Sequence, residues 1–193
     1  MTGFFNYLND KNLLLKSKCE AKTVEEFLSF NNLSHTLAAR AAAIINITHK
    51  LYKSSNKTSK EKINDRFGTH IHLAMRAHVQ YVMFIMAIEH LHSHRFADKK
   101  LIPIMNLCIK IFALKILQDN THGLYECGYF DKGASRLIEN AMHKLLSDMR
   151  PHMIPIVESF AVDTQDYNVI GNKYGDIYEL QLETAKRTRL NKQ

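Results

Sequence analysis

Apolar residues recur along this chain at helical spacing, and no segment alternates at period two over a strand's length. From Leu33 the positions Leu37, Ala41, Ile44, Ile45, Thr48 and Leu51 share one side of a helix predicted to end near Tyr52. Thr23-Val24-Glu25-Glu26 has the capping-box spacing, in which a threonine oxygen and a glutamate three residues on satisfy orphan amides, so a short helix opens there and reaches about Phe30. A polar, basic link over residues 53–62 contains the same spacing at Thr58-Ser59-Lys60-Glu61. After a break near Gly68, the series Ile71, Met75, His78, Val82, Ile85, Met86 and Leu91 predicts a helix from 69 to about 94. Its apolar face widens from Tyr81 onward, which predicts a central place in the packing.

Asp98 is placed to cap the next helix, where Pro103 is tolerable because it lies near the first turn, and this helix should reach about Gln118. Residues 120–133 hold three glycines and predict a short helical turn at Leu124-Tyr125 followed by a loop at Gly128. A further helix over 134–149 is stopped by Arg150-Pro151, since the proline ring removes a donor and disfavours helical geometry before it. In the tail, an apolar helical segment ends at Val157-Glu158-Ser159-Phe160, and a polar link with Asp163 and Asp166 follows. Gly171 and Gly175 allow a reversal before Tyr178, Leu180 and Leu182 begin the last helix. The pattern predicts an all-α helical bundle of five or six helices of appreciable length, without a sheet. Short links make successive long helices antiparallel or nearly so.

Composition agrees with this pattern. A chain of 193 residues fits one domain and can bury a sizeable core, and seven Gly with three Pro argue against a turn-dense β fold. Cys19, Cys108 and Cys127 form no Cys-x-x-Cys pair and are odd in number, so neither a disulfide framework nor a zinc ribbon is suggested. The longest apolar run, residues 81–88, is well short of the ~20 residues a membrane span needs, which predicts no membrane span. The formal charge of +7 gathers in part at Lys50, Lys53, Lys57, Lys60 and Lys62. That patch lacks interleaved aromatics and a recognition-helix signature, so it reads as a solvated link with no nucleic-acid partner.

The candidate chemistry is thin. Glu89-His90-Leu91-His92-Ser93-His94 is the densest histidine group, and His90 with His94 would share a helix face, but a zinc site needs a third or fourth ligand. Histidines at a helix C-terminus also interact favourably with its dipole, which accounts for the group without metal. His70 and His72 point to different sides of their helix. Gly123 and Gly128 have the outer spacing of a phosphate-binding loop, yet Tyr129 stands where its lysine would be. Cys108 reads as a small buried hydrophobe and Cys127 as a loop thiol, neither with an activating partner. No residue is assigned as catalytic, cofactor-binding or metal-ligating.

The tail resembles the end of the peroxisomal acyl-CoA oxidases, which carry a Val-Asp-Ala-Phe-like segment, a Leu-Gly…Gly-Asn-Val-Tyr-Glu-like turn and an Ala-Lys…Leu-Asn-Lys finish. The counterparts are Val157-Glu158-Ser159-Phe160, Ile170-Gly171, Gly175-Asp176-Ile177-Tyr178-Glu179 and Ala185-Lys186 through Leu190-Asn191-Lys192. Lys173-Tyr174 departs from the family's Tyr-Asp. Tyr7-Leu8-Asn9-Asp10 resembles a short family segment beyond the catalytic region, and Arg40 falls on the arginine of a Leu-x-Ala-Arg-Ala-Ala-like run.

The resemblance implies the all-helical C-terminal domain of such an enzyme, within the acyl-CoA dehydrogenase-like architecture: an N-terminal arm over residues 1–22, then the helical domain over 23–193. It implies that the full enzyme uses FAD to convert an acyl-CoA to a trans-2-enoyl-CoA with release of H2O2, in peroxisomal fatty-acid β-oxidation. The catalytic glutamate, the principal FAD site and the acyl-binding region would lie outside this chain, so the isolated chain is expected to be inactive and free of FAD. The expected partners are a second copy, as a homodimer, or a full-length oxidase, as a heterodimer. The alternative is a stand-alone helical binding module that pairs with a full-length oxidase or another acidic partner. The location implied is the peroxisome, although the chain stops at Asn191-Lys192-Gln193 without a Ser-Lys-Leu-type address.

Overall fold

The computed structural model describes residues 2–64, 67–93, 98–160 and 177–191, and all regular structure among them is helical. Asp163, Asp166, Ile170-Gly171, Lys173-Tyr174, Gly175-Asp176, His94 and Lys192 lie outside the described residues. The chain divides into two compact units, Met1–Arg150 and Pro151–Gln193.

In the first unit a 3-10 turn, Thr2–Leu8, leads to α1, Lys11–Lys16, and then to α2, Val24–Phe27. The capping box at Thr23 is formed as its spacing predicts: Thr23 Oγ1 accepts from Glu26 N at 3.2 Å, and Glu26 Oε2 accepts from Thr23 N at 3.3 Å. The Lys22 N–H, which donates to Glu26 Oε2 at 2.9 Å, and then the Thr23 N–H hold the Glu26 carboxyl below the usual carboxylate range. The long helix α3, Phe30–Ser54, starts earlier than the apolar pattern alone places it, because Ser29 Oγ accepts from Asn32 N at 3.3 Å and caps it there. A second box at Thr58 and Glu61 opens α4, Ser59–Asn64.

The break expected near Gly68 falls between α4 and α5, Phe67–His92. Gly68 is needed there because a Cβ on it would lie 2.6 Å from the Ile63 carbonyl oxygen. Asp98 Oδ1 accepts from Lys100 N at 2.9 Å just ahead of α6, Leu101–Asp119. A short α7, His122–Glu126, runs into Gly128 at φ 75°, the turn that only glycine adopts without strain. Helix α8, Ala134–Met149, buries Ile138, Ala141, Met142, Leu145 and Met149, the amphipathic spacing of a helix with one packed face.

Phe27, Leu33, Leu37, Phe84, Leu114, Leu117 and Leu124 are fully buried at the centre of this unit. Tyr129 hangs its hydroxyl between Thr36 Oγ1 and His35 Nδ1, each at 3.0 Å, while its carbonyl accepts from Cys19 N at 2.9 Å. That pair of attachments fixes the end of the N-terminal arm against the core. Burial pushes the Tyr129 hydroxyl up to about 12, so it stays protonated and available as a donor. At the other end of the arm, Phe5 stacks on His78 at 4.3 Å, Tyr7 meets Tyr81 at 4.4 Å, and the Tyr7 hydroxyl lies 3.0 Å from His78 Nδ1.

The expectation that the helix over 69–94 sits centrally is corrected. Its neighbour α3 has ten buried residues, against five on α5. Ala38, Ala39, Ala41, Ala42 and Ala43 let the surrounding elements approach α3 closely, whereas α5 packs through one side only.

A 3-10 turn, Arg150–His152, contains Pro151 and leads into the second unit, where α9 covers Met153–Ser159. Helix α10, Ile177–Arg187, begins at the run that predicts it and ends in a 3-10 turn at Arg189–Asn191. Arg187 pairs with Glu183 at 3.2 Å, and Asn191 Nδ2 donates to the Ala185 carbonyl at 2.9 Å. The described residues of this unit are not buried.

Candidate docking face

Helix α5 is rich in apolar residues beyond the face it turns to the core, although Arg76, Gln80 and several histidines interrupt it. Its inward side carries Ala74, Ala77, Phe84 and Leu91, all buried. Met75, Val79, Met83 and Met86 recur at four, four and three residues, a spacing that puts them in one stripe on the opposite side. They are 63%, 49%, 52% and 50% exposed. Scattered exposed apolar residues are ordinary, but four large ones aligned on one helix form a patch of the sort that marks an interaction surface. Methionine suits such a surface, because its unbranched thioether adapts to the contour of whatever covers it. On α6, Leu101 and Met105 are also exposed, while Ile109, Ala113, Leu114, Ile116 and Leu117 enter the core.

The apolar run at 81–88 understates both helices. By length and composition alone, α5 and α6 are long and apolar enough to cross a membrane, with mean hydropathies of 1.3 and 1.7. Polar residues such as Gln80 and Lys110 interrupt each run in sequence without breaking either helix.

Beside the methionine stripe, along the α3–α5 seam, lies Arg40. The residue is 3% exposed, and its guanidinium donates from Nη1 to Gln80 Oε1 at 2.9 Å. Its Nε is buried without a hydrogen-bond partner. Burial first, and then the positive charge of Arg76, lower its pKa to about 10, so the group is still a cation at neutral pH. Among the described residues no carboxylate pairs with Arg40 or Arg76.

The residues singled out in the sequence are dispersed. Among the described residues no group of three histidine, cysteine, aspartate or glutamate side chains could hold a metal. His92 instead lies edge-on to Phe30 at 6.3 Å. The His70 carbonyl accepts from Thr48 Oγ1 at 3.3 Å, which ties α5 to α3 through the backbone. The Gly123 and Gly128 spacing belongs to a turn that delivers Tyr129 into the core, 3% exposed, where it cannot serve as a phosphate ligand. Cys108 is half-buried, and burial pushes its thiol up, away from a reactive thiolate. Cys127, expected as a loop thiol, is also half-buried, with Sγ 3.5 Å from the Leu124 carbonyl. Lys50, Lys53, Lys57 and Lys60 are exposed around the α3–α4 link, and Lys62 lies 4.6 Å over the Tyr52 ring. Arg40 entered the sequence reading only as part of a motif, since spacing gave no sign that it would be buried without a counter-charge.

The family model for acyl-CoA oxidase matches residues 29–193, most of the chain. The chain belongs to the acyl-CoA oxidase family. It is 27% identical over 202 residues to a peroxisomal acyl-coenzyme A oxidase 1 of Phascolarctos cinereus, and the match takes in 98% of this chain and 29% of the relative. Its fold superposes on an acyl-CoA oxidase of Lycopersicon esculentum with a TM-score of 0.84 at 21% identity, over 99% of this chain and 29% of the other. Caenorhabditis elegans acyl-CoA oxidase-2, solved with FAD, ascaroside-CoA and ATP, gives a TM-score of 0.69 at 18% identity, over 100% and 28%. The chain therefore spans less than a third of the length of these acyl-CoA oxidases, and its all-α fold is theirs over that span.

Proposed function

We propose that this chain is the C-terminal helical domain of an acyl-CoA oxidase, and that its task is architectural: it docks on the catalytic part of an oxidase and supports dimerisation. The observation that carries the reading is the exposed stripe of Met75, Val79, Met83 and Met86 on α5, an apolar face left uncovered in a chain that spans only 29% of its relative. The whole enzyme would oxidise an acyl-CoA to a trans-2-enoyl-CoA in peroxisomal fatty-acid β-oxidation, with FAD accepting the two electrons and O2 reoxidising the flavin while being reduced to H2O2. Proton abstraction from the substrate requires a carboxylate in reach of the reacting carbon and a flavin beside it. The described residues offer no converging set of that kind, which supports placing the principal FAD site and the catalytic base in the part of the enzyme outside this chain.

Light scattering of the purified chain over a wide concentration range, repeated with a co-expressed full-length oxidase, tests the reading. Association with itself or with the oxidase is expected, weakened when Met83 and Met86 are both replaced by serine. A 22.3 kDa species at every concentration that also ignores the oxidase would overturn it. Flavin absorbance and oxygen uptake with acyl-CoA should both be absent from the purified chain.

A further inference from the structure

Arg40 is a permanent cation carried on the interior helix of the first unit, and buried charges are normally paired because removing one from water without compensation is costly. Its one hydrogen bond among the described residues uses Nη1, toward Gln80. This leaves the Nε–Nη2 edge, with Nε buried and unpartnered. That edge of a guanidinium presents two parallel N–H groups, the geometry that grips a carboxylate or phosphate through two oxygens at once. Arg76 lies four residues before Gln80 on the same helix, so it projects from the same face of α5 and brings a second positive charge. No ion pair among the described residues satisfies either arginine. Two cations and a neutral amide, one of the cations buried with an orphaned donor, form a receptor for negative charge.

We infer that Arg40, Arg76 and Gln80 form an oxoanion site on the α3–α5 seam, whose ligand is a carboxylate or phosphate group seated on the Nε–Nη2 edge of Arg40. Gln80 holds the guanidinium in place through Nη1. Arg76, at the exposed end, draws the anion in and shares its charge. The site stands apart from the methionine stripe in its physics, since one takes an anion and the other an apolar surface, and so it does not depend on the docking reading.

The test is the thermal stability of the whole chain in sodium phosphate, sodium acetate and sodium chloride at equal ionic strength and pH 7. An anion that binds only the folded chain stabilises it by an amount that grows with the logarithm of one plus its concentration over Kd, so phosphate, acetate or both should raise Tm above the chloride value by on the order of 4 °C. Arg40→Met removes the cation and its fork and should abolish that rise. Arg40→Lys keeps the charge while losing the two-pronged geometry and should lose most of it, which gives a folded comparison should the methionine variant fail to fold. Arg76→Ala should retain a reduced rise. Phosphate also strengthens folding generally through exclusion from protein surfaces, and the Arg40 variants subtract that effect. A response to phosphate alone identifies a phosphate-bearing ligand, and a response to acetate identifies a carboxylate. An equal rise in wild type and both Arg40 variants, or no rise over chloride in wild type, would overturn the site.

Discussion

Helices α3 and α5 are nearly equal in length, 25 and 26 residues, and they lie against each other, yet they solve opposite problems. The less apolar of the two, α3, is the more enclosed. Its run of alanines between Ala38 and Ala43 presents little side chain, so α1, α5 and α6 can all reach it, and even Thr36 and Arg40 are swallowed. The more apolar α5 spends its bulky inward residue Phe84 on the core and leaves methionines and a valine outside. Burial here follows the number of neighbours that can approach a helix, and hydropathy summed along a helix does not report that number. The excess of apolar surface on α5 is the feature on which the proposed docking role rests.

The sharpest way to break this contrast is to truncate the two sides of α5. Phe84→Ala, at a fully buried position, should cost about 3–5 kcal/mol, whereas Met83→Ala, one residue earlier and half exposed, should change monomer stability by less than about 0.5 kcal/mol. Urea denaturation at low protein concentration measures both. Comparable losses would mean that the outer stripe is already enclosed within the chain.

Overpacking α3 probes the other half of the comparison. Ala42 is 1% exposed and packs with Leu14, Tyr7, Leu8 and Tyr81, so Ala42→Leu should force the arm outward and destabilise by about 1–3 kcal/mol. A neutral outcome in the same denaturation experiment would show that the arm yields without loss, and that α3 is enclosed less tightly than its alanines suggest.

The smallest effect concerns pH at the place where the arm meets α5. Burial pushes the His78 imidazole below its ordinary value, which favours the neutral ring that the Tyr7 hydroxyl and Phe5 face. The unfolded chain then binds the extra proton more readily, so stability rises with pH through this window. The contribution is fully present above about pH 6.5 and declines as pH falls from there toward the lower folded-state value. Hydrogen exchange of the amides in residues 3–8 should therefore quicken, after correction for intrinsic rates, between pH 7 and pH 5.5. His78→Phe should flatten that dependence.

Much of the local structure was legible because its causes are local. The boxes at Thr23 and Thr58, the stop at Pro151 and the span of α8 each follow from a few neighbouring residues, and the structure shows each of them. The end of α2 is an instructive exception. The pattern carries that helix to Phe30, but Ser29 caps a new helix there and takes Phe30 into α3. Two possible starts compete within three residues, and periodicity cannot tell which cap prevails.

The amino-acid sequence by itself determined the helical class, the spacing of the long helices and the turn at Gly128, since propensity, capping and backbone freedom act within a few residues of each position. Membership of the acyl-CoA oxidases was also written there, in the motifs of the tail. Only the tertiary structure decided which apolar residues are covered and which cation is stranded. The face a helix turns inward depends on residues forty positions away, as Gln80 is from Arg40. Met83 and Phe84 are adjacent in the chain and equally apolar in character. What separates them is that α3 and α6 pack on the side of α5 that carries Phe84, while Met83 lies on the side they leave exposed.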